Sequence, residues 1–331
     1  MKTVKDRPNV LISSAGRRGA LVRLFQDAVS KEGGRVYATD AGQWSAACRL
    51  AHRWWRVPRC DDPRFVPAVL DLCIEYEINL IVPTIDNELP LYAAHREQFH
   101  EHGVVVAVSG PATIAVACDK LETYRFLQAN DLPTVPLCDC VDTSEGAMQF
   151  PAIVKPRFGS ASQGVQKVED HEALNFYLRR TDQPIVQQFA NGKEFTVNFF
   201  VDHERKCFAA VPHWRVETRG GEVSKCITVR QQKLIQISHQ LAAAFPDAWG
   251  PMCFQAFVDD SGNVQIIEVN ARFGGGYPIA HRAGTDFVRR LLEIANPNLE
   301  RVAGPEWEEG VAMTRWDEAV FVSAQEVGQC A

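Results

Sequence analysis

A carboxylate, an amide and a guanidinium stand at alternate positions in Glu268-Val269-Asn270-Ala271-Arg272, which closes an apolar run beginning Val264-Gln265-Ile266-Ile267. Alternate residues of a strand share a face, so Glu268, Asn270 and Arg272 point the same way. Upstream, Cys253 to Asp259 reads as a second strand, and Asp260-Ser261-Gly262-Asn263 is rich in turn formers. If those four residues make the loop, Asp259 faces Val264 and Gln255 lies opposite Glu268. Opposed residues in a hairpin have Cβ atoms about 4.5–5.5 Å apart, so Gln255, Glu268 and Asn270 would cluster their oxygens. One Glu with two amides suits a magnesium ion that shares its octahedron with water and phosphate, and manganese is the alternative ion. Arg272 would add a permanent positive charge for phosphate or carboxylate. The same alternation is also what a half-exposed edge hairpin shows.

A second element suits phosphate. Phe150-Pro151-Ala152-Ile153-Val154-Lys155 is a short apolar strand delivering a lysine into Phe158-Gly159-Ser160-Ala161-Ser162-Gln163-Gly164. Gly159, Ser160, Ser162 and Gly164 would let backbone N–H groups turn towards one anion while Lys155 adds a point charge. The order is not that of a P-loop, in which glycine precedes the lysine. A plain hairpin turn is the alternative.

These groups need elements to position them, and the pattern predicts an α/β chain. Asn9 to Ser14 is a buried-strand pattern running through Gly16 and Arg17 into a helix that ends near Ala28, and further strands are predicted at 35–40, 80–86 and 104–109. This is the start of an open, Rossmann-like sheet whose ligands sit at the carboxyl ends of the strands. Gly16, Arg17, Asp40, Asp86 and Glu88 fall at those ends. A helix cap over 89–99 is the competing role for Asp86. Gly16 and Gly19 do not complete a dinucleotide fingerprint. Helices are expected from Gly110-Pro111 to Ala117, from Asp119-Lys120 to Ala129, over 171–179 and over 231–244.

Composition narrows the partners. A net charge of -6 without a basic run argues against nucleic acid. No stretch approaches the roughly 18–20 apolar residues of a membrane span, and the first eight residues are not a signal peptide, so no membrane partner and a cytoplasmic location are expected. The ten cysteines are scattered, Cys138 and Cys140 too close for the common zinc spacing, and all are expected to be reduced thiols.

Taken in order, Cys118-Asp119-Lys120, Val154-Lys155-Pro156 with its glycine loop, Ile185 to Phe189 with Gly192 to Val197, Gln255, and Glu268 to Arg272 resemble the ATP-grasp superfamily. The likeness is strongest to its carbamoyl-phosphate-synthase-like and pyrrolysine-ligase-like members, and it covers nearly the whole chain. It implies a Rossmann-like pre-ATP-grasp domain over 1–111, a central region with a lid over 112–190, and a lobe over 191–331 that carries the metal hairpin, the last two α+β in character. The activity implied is an ATP-dependent, ADP-forming carboxylate–amine ligase acting through an acyl phosphate on an amino acid or related small carboxylate. Lys120 and Lys155 would hold phosphates, Gln187, Gln188 and Phe189 would read adenine, and Glu194 would meet the ribose. Gln187 and Gln188 stand where many relatives carry an acid. Gln255 replaces the commoner glutamate. Arg272 would stabilise the acyl phosphate, Arg215, Arg219 and Lys225 are candidates for the γ-phosphate or a carboxylate, and Gly275 and Gly276 mark where the acid substrate is sought. The partners implied are a small carboxylate and an amine, and, since relatives are often dimers, a second copy of the chain. A phosphotransferase, a carboxyphosphate- or carbamoyl-phosphate-type synthetase and a non-catalytic nucleotide-binding module remain as alternatives.

Overall fold

The computed structural model describes residues 7–138, 148–160, 162–301, 304, 306–324 and 326. Cys140 and Cys330 lie outside them, whereas Cys48, Cys60, Cys73, Cys118, Cys207, Cys226 and Cys253 are free thiols.

The N-terminal part is a five-stranded parallel sheet with strand order β3-β2-β1-β4-β5. Its strands are β1 (Val10–Ser13), β2 (Val36–Asp40), β3 (Arg53–Arg56), β4 (Leu80–Pro83) and β5 (Val105–Val106). The central strands β1 and β4 are buried at every position, as apolar runs covered on both faces must be. β3 is an edge strand that the charged and aromatic Arg53-Trp54-Trp55-Arg56 did not announce. Helix α1 (Gly19–Ser30) follows β1, α2 (Phe65–Glu75) precedes β4, and the helix expected over 89–99 is two, α3 (Leu89–Ala94) and α4 (Arg96–Glu101), parted at His95.

Helices α5 (Pro111–Ala117) and α6 (Lys120–Ala129) lead away from the sheet. Asp119 caps α6 by accepting from the N–H groups of Leu121 and Glu122, which fixes Lys120 in the first turn. A lid of three antiparallel strands follows, in the order β7-β6-β8, made of β6 (Ala152–Pro156), β7 (Gln166–Val168) and β8 (Pro184–Gln188) with helix α7 (His171–Leu178). Its small core of Ala152, Val154, Val168, Leu174 and Val186 is separate from the two large ones.

The third layer is a six-stranded antiparallel sheet, β13-β12-β9-β10-β11-β14. It comprises β9 (Lys193–Val201), β10 (Cys207–Arg219), β11 (Glu222–Thr228), β12 (Gly250–Val258), β13 (Val264–Asn270) and the tail strand β14 (Ala312–Thr314), with helices α8 (Gln232–Ala244), α9 (Tyr277–Arg282) and α10 (Phe287–Ala295). Phe25 of α1 meets Phe273 edge-on, and Phe126 of α6 stacks on Phe245 with centroids 4.3 Å apart, so apolar packing runs from each preceding layer into this one. Among the described residues, no helix is long and apolar enough to cross a membrane.

The carboxyl ends of β1 and β4 are tied by one buried acid. Glu88, with no exposed surface, accepts from the hydroxyls of Ser13 and Ser14 at 2.7 Å each and from the N–H groups of Thr84 at 2.7 Å and Ile85 at 3.3 Å. The expectation that Glu88 meets a substrate is therefore corrected, because its oxygens are spent on the protein. Glu88→Ala strands four donors and should lower unfolding free energy by about 3 kcal/mol or more. Urea denaturation followed by circular dichroism measures it, and an unchanged midpoint would show that the knot is not needed.

Candidate active site

The metal hairpin reaches its register by two departures that compensate. Val258, not Asp259, faces Val264, so the loop is one residue longer than the sequence implied; a β-bulge between Gln255 and Ala256 then absorbs Ile267 on the opposite strand, and Gln255 pairs with Glu268. Asp259 closes the loop by accepting from the Asn263 backbone and side-chain amides.

Three acidic and amide groups then lie in a hydrogen-bonded chain. Arg272, buried, donates from Nε and Nη2 to the two oxygens of Asp86 at 2.8 and 2.6 Å. Its Nη2 also reaches Asn270 Oδ1 at 3.0 Å and its Nη1 reaches the carbonyl of Phe273 at 3.2 Å. Asn270 Nδ2 in turn donates to Glu268 Oε1 at 2.6 Å. Asp86 is thus an ion-pair partner and not the helix cap. Burial works against both charges, yet Arg272 holds the Asp86 carboxyl below its ordinary range and Asp86 holds the guanidinium charged. Four of the five N–H donors of Arg272 are used within the protein, which leaves one on Nη1 for a ligand.

Lys155, at the end of β6, is 7 % exposed, and its Nζ makes one long hydrogen bond, 3.4 Å, to the carbonyl of Ile267. Burial pushes this ammonium down to about 8, with Glu268 opposing and Lys120 adding to the shift. A buried cation so poorly satisfied is suited to an anion. Lys120 Nζ lies 2.6 Å from the Gly159 carbonyl, and burial lowers its pKa too. The loop after β6 turns through Gly159, Ser162 and Gly164, all at positive φ. Ser160 also helps to hold Asp86 ionised, so the loop lies close to the N-terminal domain.

These groups line a cavity of about 190 Å³. Lys120, Lys155, Gly159, Ser160 and Ser162 form one wall, and Gln187, Gln188, Phe189 and Glu194 the other, with Gln255 and Glu268 at the hairpin. Gln187 is buried and donates to the Val135 carbonyl, whereas Gln188 is exposed. The linker enters β9 at Gly192, φ 112°, where a Cβ would fall 2.2 Å from the Val258 carbonyl oxygen, so only glycine lets the chain pass the hairpin. A second cavity of about 240 Å³ opens beyond Glu268; it contains Asp86, Asn87, Cys118 and Asn270 and shares Lys120, Gly159 and Glu268 with the first.

Several expected residues fall elsewhere. Lys225 pairs with Glu217 at 2.7 Å and Arg219 with Asp317 at 2.5 Å, both more than half exposed and lining neither cavity, because they sit towards the turn end of the β10–β11 hairpin. Arg215 is held by Glu194, Thr196 and the Gly221 carbonyl, so it braces Glu194, and it lines neither cavity. Gly164 turns the loop without lining the cavity, since a Cβ there would press on Pro156. Gly276 packs over the fully buried His213, which burial pushes down to about 3. Gly16 gives its N–H to Asp40, and Arg17 and Gly275 line a third cavity considered below. The sequence reading missed Arg18, although Arg17 beside it had been noted, and missed Arg315 and Glu222, whose meeting nothing in local spacing signals.

The donor set fits a nucleotide-bound cation better than a protein-only metal cage. Among the described residues there is no group of three or more His, Cys, Asp or Glu side chains that could hold a metal. Gln255, Glu268 and the second lone pair of Asn270 Oδ1 would supply a minority of the oxygens a magnesium ion takes.

Comparison with known proteins agrees with this architecture. Residues 10–107 match the family model described as the PylC-like N-terminal domain, and residues 117–276 match that of the ATP-grasp domain. D-alanine--D-alanine ligase of Pseudomonas entomophila is 27 % identical over 224 residues, 58 % of this chain and 68 % of that protein. The same enzyme of Stutzerimonas stutzeri is 28 % identical over 232 residues, 60 % of this chain and 70 % of that one. In fold, the chain is similar to the L-amino acid ligase of Bacillus licheniformis, with TM-score 0.68 at 20 % identity over 88 % of this chain and 75 % of that one. It is also similar to N5-carboxyaminoimidazole synthetase of Staphylococcus aureus complexed with ADP, with TM-score 0.70 at 17 % identity over 91 % and 80 %.

The depressed pKa of Lys155 gives a signed prediction. Below pH 8 it should be charged in the free protein and would meet a phosphate directly, whereas above pH 8 binding would first have to draw in a proton. Affinity for Mg-ADP should therefore fall as pH rises through 8, by up to about tenfold per unit, with proton uptake at pH 9. Titration calorimetry in two buffers of different ionisation enthalpy reads both. Lys155→Met should remove the pH dependence, and if the variant retains it another group is responsible.

Proposed function

We propose that this chain, which belongs to the ATP-grasp superfamily, is an ADP-forming ligase that joins a small carboxylate to an amine through an acyl phosphate. The observation that carries this reading is the shared wall of Lys120, Gly159 and Glu268 between the two cavities. A nucleotide whose base lies against Gln187 to Phe189 and whose phosphates reach Lys155 and Lys120 would present its terminal phosphate at Glu268, where the acid-lined cavity begins. The named relatives that are amino acid ligases support the carboxylate–amine class.

In that reading, Lys155 and Lys120 neutralise phosphate oxygens, and the desolvated Lys155 is stabilised by the ligand it receives. Magnesium held by Gln255, Glu268 and Asn270, when bound, would neutralise charge on the phosphoryl group being transferred. A carboxylate oxygen of the acid attacks the γ-phosphorus, the bond to the β-γ bridging oxygen breaks, and ADP leaves. The amine then adds to the acyl carbon, phosphate departs, and the nitrogen loses a proton, so that the two substrates join with net loss of water. The remaining N–H of Arg272 would donate to the acyl phosphate, and Asp86 fixes its direction. The loop from Gly159 to Gly164 excludes water that would hydrolyse the acyl phosphate.

The test is ADP release with Mg-ATP over a panel of amino acids and small carboxylates, offered singly and in pairs, with mass spectrometry of the products. ADP formation that needs a pair and gives a mass one water below their sum is expected. A stable phosphorylated single substrate would overturn the ligase in favour of a kinase, and dependence on bicarbonate would favour a carboxyphosphate former. In the same assay Glu268→Ala should lower turnover about a hundredfold or more while the melting temperature holds; unchanged turnover would sink the metal assignment.

A further inference from the structure

A cavity of about 460 Å³ lies apart from the one to which the nucleotide is assigned. It lies between the start of α1 and the sixth strand's tail, and Gly274 and Gly275, which follow Arg272-Phe273 directly, form part of its wall. That volume lies within the roughly 300–1,000 Å³ of small-molecule sites. Leu21, Leu50 and Met313 give it an apolar side.

Its polar side is cationic. Arg17, Arg18, Arg23 and Arg315 line it, against Glu222, Asp317 and Glu318. Glu318 neutralises Arg23 through two hydrogen bonds of 2.8 Å, and Asp317 is held from outside by Arg219. Glu222 alone serves both Arg18 and Arg315, each 3.2 Å away. Two positive charges thus remain uncompensated, one of them Arg17, which is exposed and has no ion pair among the described residues. Arg18 Nη1 is buried without a hydrogen bond. The first turn of α1, whose N–H groups face no side-chain cap and no acid, adds a partial positive charge. The Glu222 carboxylate seated between two arginines shows that their spacing accepts a carboxylate.

We propose that this cavity binds a substrate carboxylate other than the one activated by ATP, between Arg17, Arg18 and Arg315, so that one substrate of this chain carries a carboxylate that survives in the product. That the bound molecule is a substrate rests on the ligase reading; the binding itself does not. The selecting wall belongs to the tail. Strand β14 pairs with β11 through Lys225–Thr314, Cys226–Met313 and Ile227–Ala312, and Arg315 then donates to the carbonyl of Gly275. These tail residues lie outside both matched segments, 10–107 and 117–276, so the tail adds a specificity element to the shared fold.

The experiment is titration calorimetry of the full chain, with Mg-ADP present, against L-glutamate and its neutral counterpart L-glutamine, succinate and succinamide, and inorganic phosphate. At least one acid should bind about tenfold or more tightly than its amide, and Arg17→Glu should lose about tenfold or more in that affinity while Mg-ADP affinity stays within about twofold. Arg315→Met should weaken the acid in the same direction, so that the result does not hang on one variant. The proposal is overturned if no acid is preferred to its amide, if Arg17→Glu binds the acid as well as the parent does, or if phosphate binds as tightly as the acids. Acid binding that persists although Mg-ADP does not bind would leave this proposal standing and remove the nucleotide reading instead.

Discussion

The ion pair between Asp86 and Arg272 holds the rest of the site in place. It joins the segment just past a parallel strand to the segment just past an antiparallel one 186 residues later, with Arg272 buried and Asp86 mostly covered. Burying two charges is costly unless the geometry is good and the remaining donors are met. Here it is bidentate, and Asn270 and Phe273 take two more of the guanidinium donors, leaving one on Nη1. Because Arg272 also orients Asn270, and Asn270 orients Glu268, the proposed metal oxygens take their direction from an acid in the other domain.

The cations around the nucleotide-sized cavity are treated differently. Lys155 is nearly as buried as Arg272 yet has no carboxylate in hydrogen-bond contact, and its lowered pKa records that deficit. Such a site is complementary to a ligand and unfavourable without one, the condition under which binding energy can be used in a reaction. Arg272 is held mostly by the protein and is suited to positioning; Lys155 is not, and is suited to binding. The same distinction separates Glu88, whose four bonds are all internal, from Arg17, which has no ion pair among the described residues.

The hairpin shows how a correct pairing can follow from an inexact loop. Counting from a four-residue turn placed Gln255 opposite Glu268, and the structure pairs them only because an extra loop residue is cancelled by a bulge at Ile267. A bulge has no reliable sequence signature, since it trades one ladder bond for a change of twist that depends on neighbouring strands. The edge strand Arg53–Arg56 escaped for a related reason: its apolar residues are two adjacent tryptophans flanked by arginines, which break the alternation, and they are only partly buried, with Arg49, Arg53 and Tyr76 covering their outer sides.

What the sequence determined by itself was set by short-range rules. Buried-strand runs, the Asp119 cap that starts a helix at Lys120, the turn glycines and the two-residue alternation of Glu268, Asn270 and Arg272 all act over a few residues, so period and propensity expose them. Only the tertiary structure decided which charges face a ligand. Lys225, Arg219 and Arg215 read like Lys155 and Arg17 in one dimension, but in three Glu217 and Asp317 engage the first two at the surface, and Arg215, paired with Glu194, lines neither cavity. Whether a charge is free depends on which opposite charge folding brings within hydrogen-bonding distance, and for Arg315 and Glu222 that meeting spans 93 residues.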